Sequence, residues 1–152
     1  MIIIKEMKES EFNIVINNPD DGYAQGIADT DGISLELATD KANEQLASLL
    51  PDGIKSKDHY FYSAYQNKIF VGYAWFNIKT DTNNAWGYNI YVKKEFRRKG
   101  IAKEIFNVLQ PILKKMGVKQ VSFHVFANNK NAIDLYEQSG FKVSNIVMKK
   151  EL

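Results

Sequence analysis

The sequence contains no cysteine and only 3 prolines among its 152 residues. Without thiols there is no disulfide framework, no thiolate metal site and no cysteine nucleophile. An excess of one charge is also missing. Against 18 Asp and Glu stand 20 Lys and Arg, a net charge of +2, too small to argue for nucleic-acid binding through a basic surface. No apolar run approaches the roughly 20 residues of a membrane span. Residues 1–4 are apolar but are followed at once by Lys5 and Glu6. That run is too short for the apolar core of an export signal and is expected to be a β-strand. A cytoplasmic location is expected, and the lack of cysteine is compatible with it. What remains is average: 45% of the residues are hydrophobic and 25% charged. This is the composition and size of one folded domain, expected to span residues 1–152.

The chain divides by periodicity. Residues 9–29 read as one helix or a broken one, interrupted by the turn chemistry of Asn17-Asn18-Pro19-Asp20-Asp21-Gly22. Ser34 is placed to cap a helix in which Leu35, Ala38, Ala42, Leu46 and Leu49 recur at helical spacing, with Glu36 in its first turn. Leu50-Pro51-Asp52-Gly53 ends that helix, and residues 54–59 read as a polar loop containing His59. Aromatic and β-branched runs at 60–65, 69–78 and 85–92 are separated by short turns, the pattern of an antiparallel meander. Residues 98–116 carry Ile101, Ile105, Leu109, Ile112 and Met116 on one helical stripe. Pro111 lies inside it, and an interior proline costs about 3 kcal/mol, so a kink or an early end is expected. A strand at 118–126, a short helix at 131–139 closed by Gly140, and a last strand or hairpin at 141–152 complete the reading.

The segment from Tyr91 to Ala102 combines features of an anion site. A strand ends, the basic turn Arg97-Arg98-Lys99 follows, and a helix opens at Gly100 and Ala102. A helix N-terminus presents unpaired N–H groups and a partial positive charge. Small residues there let the backbone approach a phosphate or pyrophosphate. The P-loop is ruled out because no Lys-Ser/Thr follows Gly100, and the dinucleotide turn because its three spaced glycines are absent. On this stretch alone, a basic solvated loop ahead of a helix is an equally good reading.

A second stretch changes the balance. Arg97, Gly100 and Ala102 fit Arg/Gln-x-x-Gly-x-Gly/Ala. Asn129, Ala132, Leu135, Tyr136, Gly140 and Phe141 fit Asn-x-x-Ala-x-x-Leu-Tyr-x-x-x-Gly-Phe. The ordered pair resembles the GCN5-related N-acetyltransferase (GNAT) superfamily over residues 86–141. Tyr23-Ala24, Leu49-Leu50-Pro51-x-Gly53, His59 and Met148-x-Lys150-x-Leu152 resemble a small bacterial branch of it.

The resemblance implies an α/β fold of the α+β type, with a mixed, largely antiparallel sheet flanked by helices and two splayed strands that hold an acyl-CoA. It implies an acetyl-CoA-dependent N-acetyltransferase, with acetyl-CoA as co-substrate and a primary amine as acceptor; no metal is expected, because no His, Asp or Glu cluster in the sequence has metal-ligand spacing. By that analogy Ile90, Tyr91 and Val92 line the pantetheine arm. The turn of Arg97, Arg98, Lys99, Gly100, Ile101, Ala102 and Lys103 holds the pyrophosphate, and Asn129 touches the CoA arm. Tyr136 matches the family's general acid. A phenol with a pKa of about 10 can protonate a thiolate whose thiol titrates near about 8.5. His124 occupies a position where some members place a carboxylate base. An imidazole titrating near about 6.5 can serve there, or water can relay the proton.

Tyr88, Asn89, Tyr23, Glu36 and Tyr62 are candidates for the acceptor side, and a backbone N–H near Val92 for an oxyanion contact. His59 reads as a loop or structural residue. A homodimer is also expected, because residues 143–152 are strand-like and could pair with a second copy. The alternative reading is a non-catalytic acyl-CoA-binding regulatory module on the same fold.

Overall fold

The structure, a computed structural model, describes residues 1–17, 22–79 and 81–152. Five strands form one sheet in sequence order: β1 (Ile2–Glu6), β2 (His59–Gln66), β3 (Ile69–Lys79), β4 (Asn84–Val92) and β5 (Gln120–Phe123). The first four run antiparallel, and β4 and β5 run parallel. The helices are α1 (Glu9–Asn17), α2 (Tyr23–Asp31), α3 (Leu35–Leu49), α4 (Ile101–Lys115) and α5 (Lys130–Gln138). The expected meander is present, and so is the parallel return through α4.

Strand alternation sends side chains to the two faces of the sheet. On one face Ala64, Ala74, Phe76, Ile78, Ala85 and Val92 pack against Ile101, Ile105, Leu109 and Leu113 of α4. Burial of each large side chain there contributes about 1.5–3 kcal/mol. On the other face Phe61, Tyr73 and Trp75 pack against Phe12 of α1 and against Leu46, Leu49 and Leu50 of α3 and its end. A third cluster joins α2 and α3 through Ile27, Ala28 and Ala38, with Phe126 against it.

Ser34 caps α3, accepting a hydrogen bond from the Leu37 amide at 3.2 Å. Leu35, placed on that helix's apolar stripe by its spacing, is exposed instead. The expected turn before α2 lies partly outside the described residues. Gly22, at its end, caps α2 with φ of 74°.

Several expectations are corrected. α4 continues through Pro111 to Lys115 rather than ending early. Pro111 and Asn107 are both exposed, so the carbonyl for which proline has no donor lies on the wet side of the helix. His59 is not in a loop but is the first residue of β2. The strand expected at 118–126 is confined to Gln120–Phe123. The strand or hairpin expected at 141–152 is absent: residues 142–152 have no regular structure and are exposed. A strand needs a partner edge, and no strand among the described residues pairs with this segment.

Candidate functional site

β4 forks away from β5. The two pair only over Asn84–Gly87 and Gln120–Phe123, while β4 stays paired with β3 as far as Val92. At the fork the β3–β4 register shifts. Trp75 opposes Asn89 and Phe76 opposes Gly87, so Tyr88 is the extra residue of a bulge. A bulge bends its strand and adds twist, which gives a local cause for the parting.

The bulge sorts the side chains of the open stretch. Ile90 and Val92 face α4, while Tyr88 and Tyr91 join the opposite face. Asn89 donates to the Tyr73 hydroxyl at 3.1 Å on that same face. Tyr91 stacks on Tyr73 with ring centroids 5.2 Å apart.

The apex of the fork is aromatic. Gly87 and Phe123 are the last paired residues. The Phe123 ring stacks on Tyr136 of α5 at 4.5 Å, with an interplanar angle of 18°. Phe141 closes on both rings edge-on, at 5.5 Å and 5.4 Å. Burial in this cluster pushes the Tyr136 phenol up to about 12, because a phenolate would lose its hydration there. Tyr136 therefore stays protonated at neutral pH, and its ring is held at the point where the strands separate.

The open end of the fork meets the N-terminus of α4. Gly100 precedes that helix in a left-handed conformation, φ 76°, and no side chain caps it. Arg98 is also left-handed, at φ 62°. Two such residues close together turn the backbone sharply before the helix. They leave its first N–H groups aimed outward, the arrangement that suits an anion. Arg98, Lys99 and Lys103 are exposed around it. Ile101 is buried under the sheet and serves as an anchor, while Ala102 is half-buried.

Arg97 turns back toward the strand. Its Nε donates to the Val92 carbonyl at 2.8 Å, and its guanidinium lies 5.4 Å from the centre of the Tyr91 ring. The side chain thus braces the turn that carries Arg98 to Lys103. Asn129 likewise acts locally. It caps α5, its side chain accepting from the Ala132 amide at 3.3 Å.

His124 lies just past the end of β5 and is exposed. Its ring meets Phe126 edge-on at 5.1 Å, and Phe126 in turn meets Tyr23 of α2 at 5.8 Å. Phe123 packs on Tyr136, so the consecutive residues 123 and 124 serve different neighbourhoods. Tyr62 belongs to neither. It is buried on the α4 face, its hydroxyl donating to Met116 Sδ at 3.4 Å. This removes it from the expected acceptor side. Glu36 is exposed on the first turn of α3.

His59, read from the sequence as a loop or structural residue, is engaged within the sheet. His59 accepts a hydrogen bond at Nδ1 from Trp75 Nε1 at 3.0 Å and lies 5.7 Å from the Tyr88 ring. Trp75 stacks on Tyr88 at 4.5 Å. Burial holds the His59 imidazole below its usual value, more strongly than nearby Asp58 raises it. The aromatic alternation of 60–65 pointed to a strand, but its start at His59 depended on the cross-strand pairing with Asn77.

The Acetyltransferase (GNAT) family matches residues 27–141. The uncharacterized N-acetyltransferase YycN of Bacillus subtilis is 30% identical over 99% of this chain and 99% of its own. A crystal structure of YycN superposes with a TM-score of 0.93 over 100% of this chain and 99% of that one. The spermidine N(1)-acetyltransferase of Thermoplasma acidophilum is 25% identical over 72% of this chain and 70% of its own. At 22% identity, the PaiA N-acetyltransferase from Thermoplasma acidophilum, solved with coenzyme A, shares the fold. Its TM-score is 0.71 over 97% of this chain and 93% of that one.

Proposed function

The chain belongs to the GNAT acetyltransferase family, and from that premise we propose that it acetylates a primary amine by direct attack on acetyl-CoA, with Tyr136 as general acid. The observation that carries this reading is the alignment of three features along one fork. The uncapped start of α4 lies at its mouth, the stretch of β4 beyond its pairing with β5 forms its wall, and the Phe123–Tyr136 stack sits at its apex. A donor with an anionic diphosphate, an amide-rich arm and a thioester fits these in order.

In this reading the N–H groups from Arg98 to Lys103 hold the diphosphate, with Lys99 and Lys103 adding field. Arg97 keeps the turn in place through Val92 and Tyr91. The stretch of β4 around Ile90, Tyr91 and Val92, beyond its pairing with β5, lines the arm, and Asn129 marks where α5 begins beside it. A backbone N–H of β4 polarises the thioester carbonyl.

The amine lone pair attacks the acetyl carbon, the carbon–sulfur bond breaks and the sulfur leaves as thiolate. The Tyr136 hydroxyl donates to that sulfur as charge develops. A phenol at about 12 is a weaker acid than a thiol at about 8.5 in water. Full transfer therefore needs the aromatic apex to raise the thiol as well, which desolvation does to any group that ionises to an anion.

The amine must also lose a proton. His124, exposed and on the Phe126 side, takes it directly or through water. The acceptor enters over the face that carries Tyr88 and Asn89, between α2 and the sheet, where Tyr23 also lies. Spermidine, named for the Thermoplasma relative, belongs in the first panel of amines to test. The decisive experiment measures CoA release over polyamines, amino acids, aminoglycosides and peptides. Release that needs both an amine and Tyr136 supports the reading. Binding of CoA with no release for any amine favours a binding module instead.

A further inference from the structure

Beyond Gly87 the course of β4 depends on one irregularity, the bulge at Tyr88. The bulge places two consecutive side chains, Tyr88 and Asn89, on the same face of the sheet, and β3 holds each of them there. Asn89 donates to the Tyr73 hydroxyl at 3.1 Å. Tyr88 lies against the Trp75 indole, with 4.5 Å between ring centroids and 23° between planes. Trp75 is itself backed by Phe61 of β2, at 5.2 Å and 19°. Rings from three neighbouring strands, Phe61, Trp75 and Tyr88, therefore stand in one stack.

Offset stacking tolerates sliding of the rings, so a directional contact is needed to fix the indole in its plane. Trp75 is buried, and its indole N–H, which can only donate, needs a partner there. His59 supplies it: Nδ1 accepts from Trp75 Nε1 at 3.0 Å. That bond selects the tautomer of the neutral ring. Nδ1 is the bare nitrogen and Nε2 carries the proton. The Asn77 side-chain amide, on the residue paired with His59 across β3, lies 3.3 Å from Nε2. The imidazole is thus engaged through both nitrogens, and it also meets the Tyr88 ring at 5.7 Å.

We propose that His59 is a positioning residue for acetyl transfer: through Trp75 it fixes the Tyr88 bulge, and the bulge sets the course of the β4 stretch that lines the donor and polarises the thioester carbonyl. The chemical part of this rests on the acetyl transfer proposed above; the hold of His59 on the bulge does not. No atom of His59 has to reach the substrate. A donor aimed at a developing oxyanion acts only from the right place, and a small misplacement caused by a change away from the chemistry lowers turnover.

Two substitutions separate positioning from packing. In His59→Asn the side-chain oxygen takes the place of Nδ1 and keeps an acceptor for Trp75. His59→Gln carries its amide further out, to the place of Nε2, and loses that acceptor. Turnover in His59→Gln is expected to fall by about 10- to 100-fold, with CoA affinity by calorimetry unchanged because the turn before α4 is untouched. His59→Asn is expected to restore most of the turnover. Amide resonances of Tyr88 and Asn89, recorded on the labelled protein without any donor, are expected to move in His59→Gln and to return toward their wild-type positions in His59→Asn. Unmoved resonances or unchanged turnover in His59→Gln overturn the proposal, and so does an asparagine variant no better than the glutamine one. A glutamine variant that loses its fold shows that His59 supports the whole domain rather than the bulge, and overturns it too. A wild-type chain that releases no CoA with any amine overturns the acetyl-transfer reading, whereas the resonances test the hold of His59 on the bulge by themselves.

Discussion

A Cβ on Gly87 would stand 2.0 Å from Cε1 of Phe123, so the ring that supports Tyr136 lies directly over a glycine of the neighbouring strand. Glycine in a strand interior weakens the strand. Here its use is the close approach it allows. Phe123 settles onto β4, and Tyr136 settles onto Phe123.

Gly87→Ala is therefore expected to push the Phe123 ring away and carry Tyr136 with it. Overpacking of this kind costs about 1–3 kcal/mol. A lowered urea midpoint, together with reduced CoA release, is the expected result. Wild-type stability would show that the ring is not confined by the strand.

Tyr136→Phe removes the hydroxyl but keeps the ring stack. Turnover is expected to fall by about 10²–10⁴, the range for general acid–base catalysis, while CoA affinity stays the same. The substitution also changes the alkaline stability profile. The phenol titrates near about 12 in the fold and near about 10 when unfolded. Between those values the unfolded chain has released the proton and the folded chain has not, so stability falls as pH rises. Urea midpoints followed through that window should decline less steeply in Tyr136→Phe.

Gly100→Val tests the turn before α4. At φ 76° a β-branched residue is strained by about 1–2 kcal/mol. Relief of that strain would reorient the first N–H groups of the helix. CoA binding measured by calorimetry is expected to weaken about tenfold if about 1.4 kcal/mol of the contact is lost.

His59 should make stability fall on the acid side. Its imidazole is held below the ordinary value by burial, so the unfolded chain binds the proton first as pH falls. The stability it contributes is present above the unfolded pKa, near about 6.5, and is lost as pH falls through the folded one. Protonation also ends the acceptor role of Nδ1 toward Trp75. A tryptophan fluorescence titration should show a transition that His59→Gln abolishes.

Elements with a strong local signal were readable in the sequence. The Ser34 cap, the meander and the stripe on α4 all depend on residues near one another in the chain. The turn at Arg97 to Ala102 was readable for the same reason. What escaped depends on pairing between distant segments. The bulge at Tyr88 exists only against β3. Tyr62 and Tyr88 look alike in sequence and fall on opposite faces. The segment at 142–152 has strand composition but no partner strand among the described residues. Arg97 and Asn129 match motif positions, yet their side chains are engaged with Val92 and with the Ala132 amide, which spacing alone does not reveal.

In the proposed reaction the donor's diphosphate rests on the first turn of α4 and its arm runs down the fork toward Tyr136. Amide resonances followed while CoA is titrated into the labelled protein report on that placement residue by residue. Arg98 to Lys103 are expected to shift most, followed by the β4 stretch from Tyr88 to Val92. Shifts confined to other surfaces, or none at saturating CoA, would refute the placement.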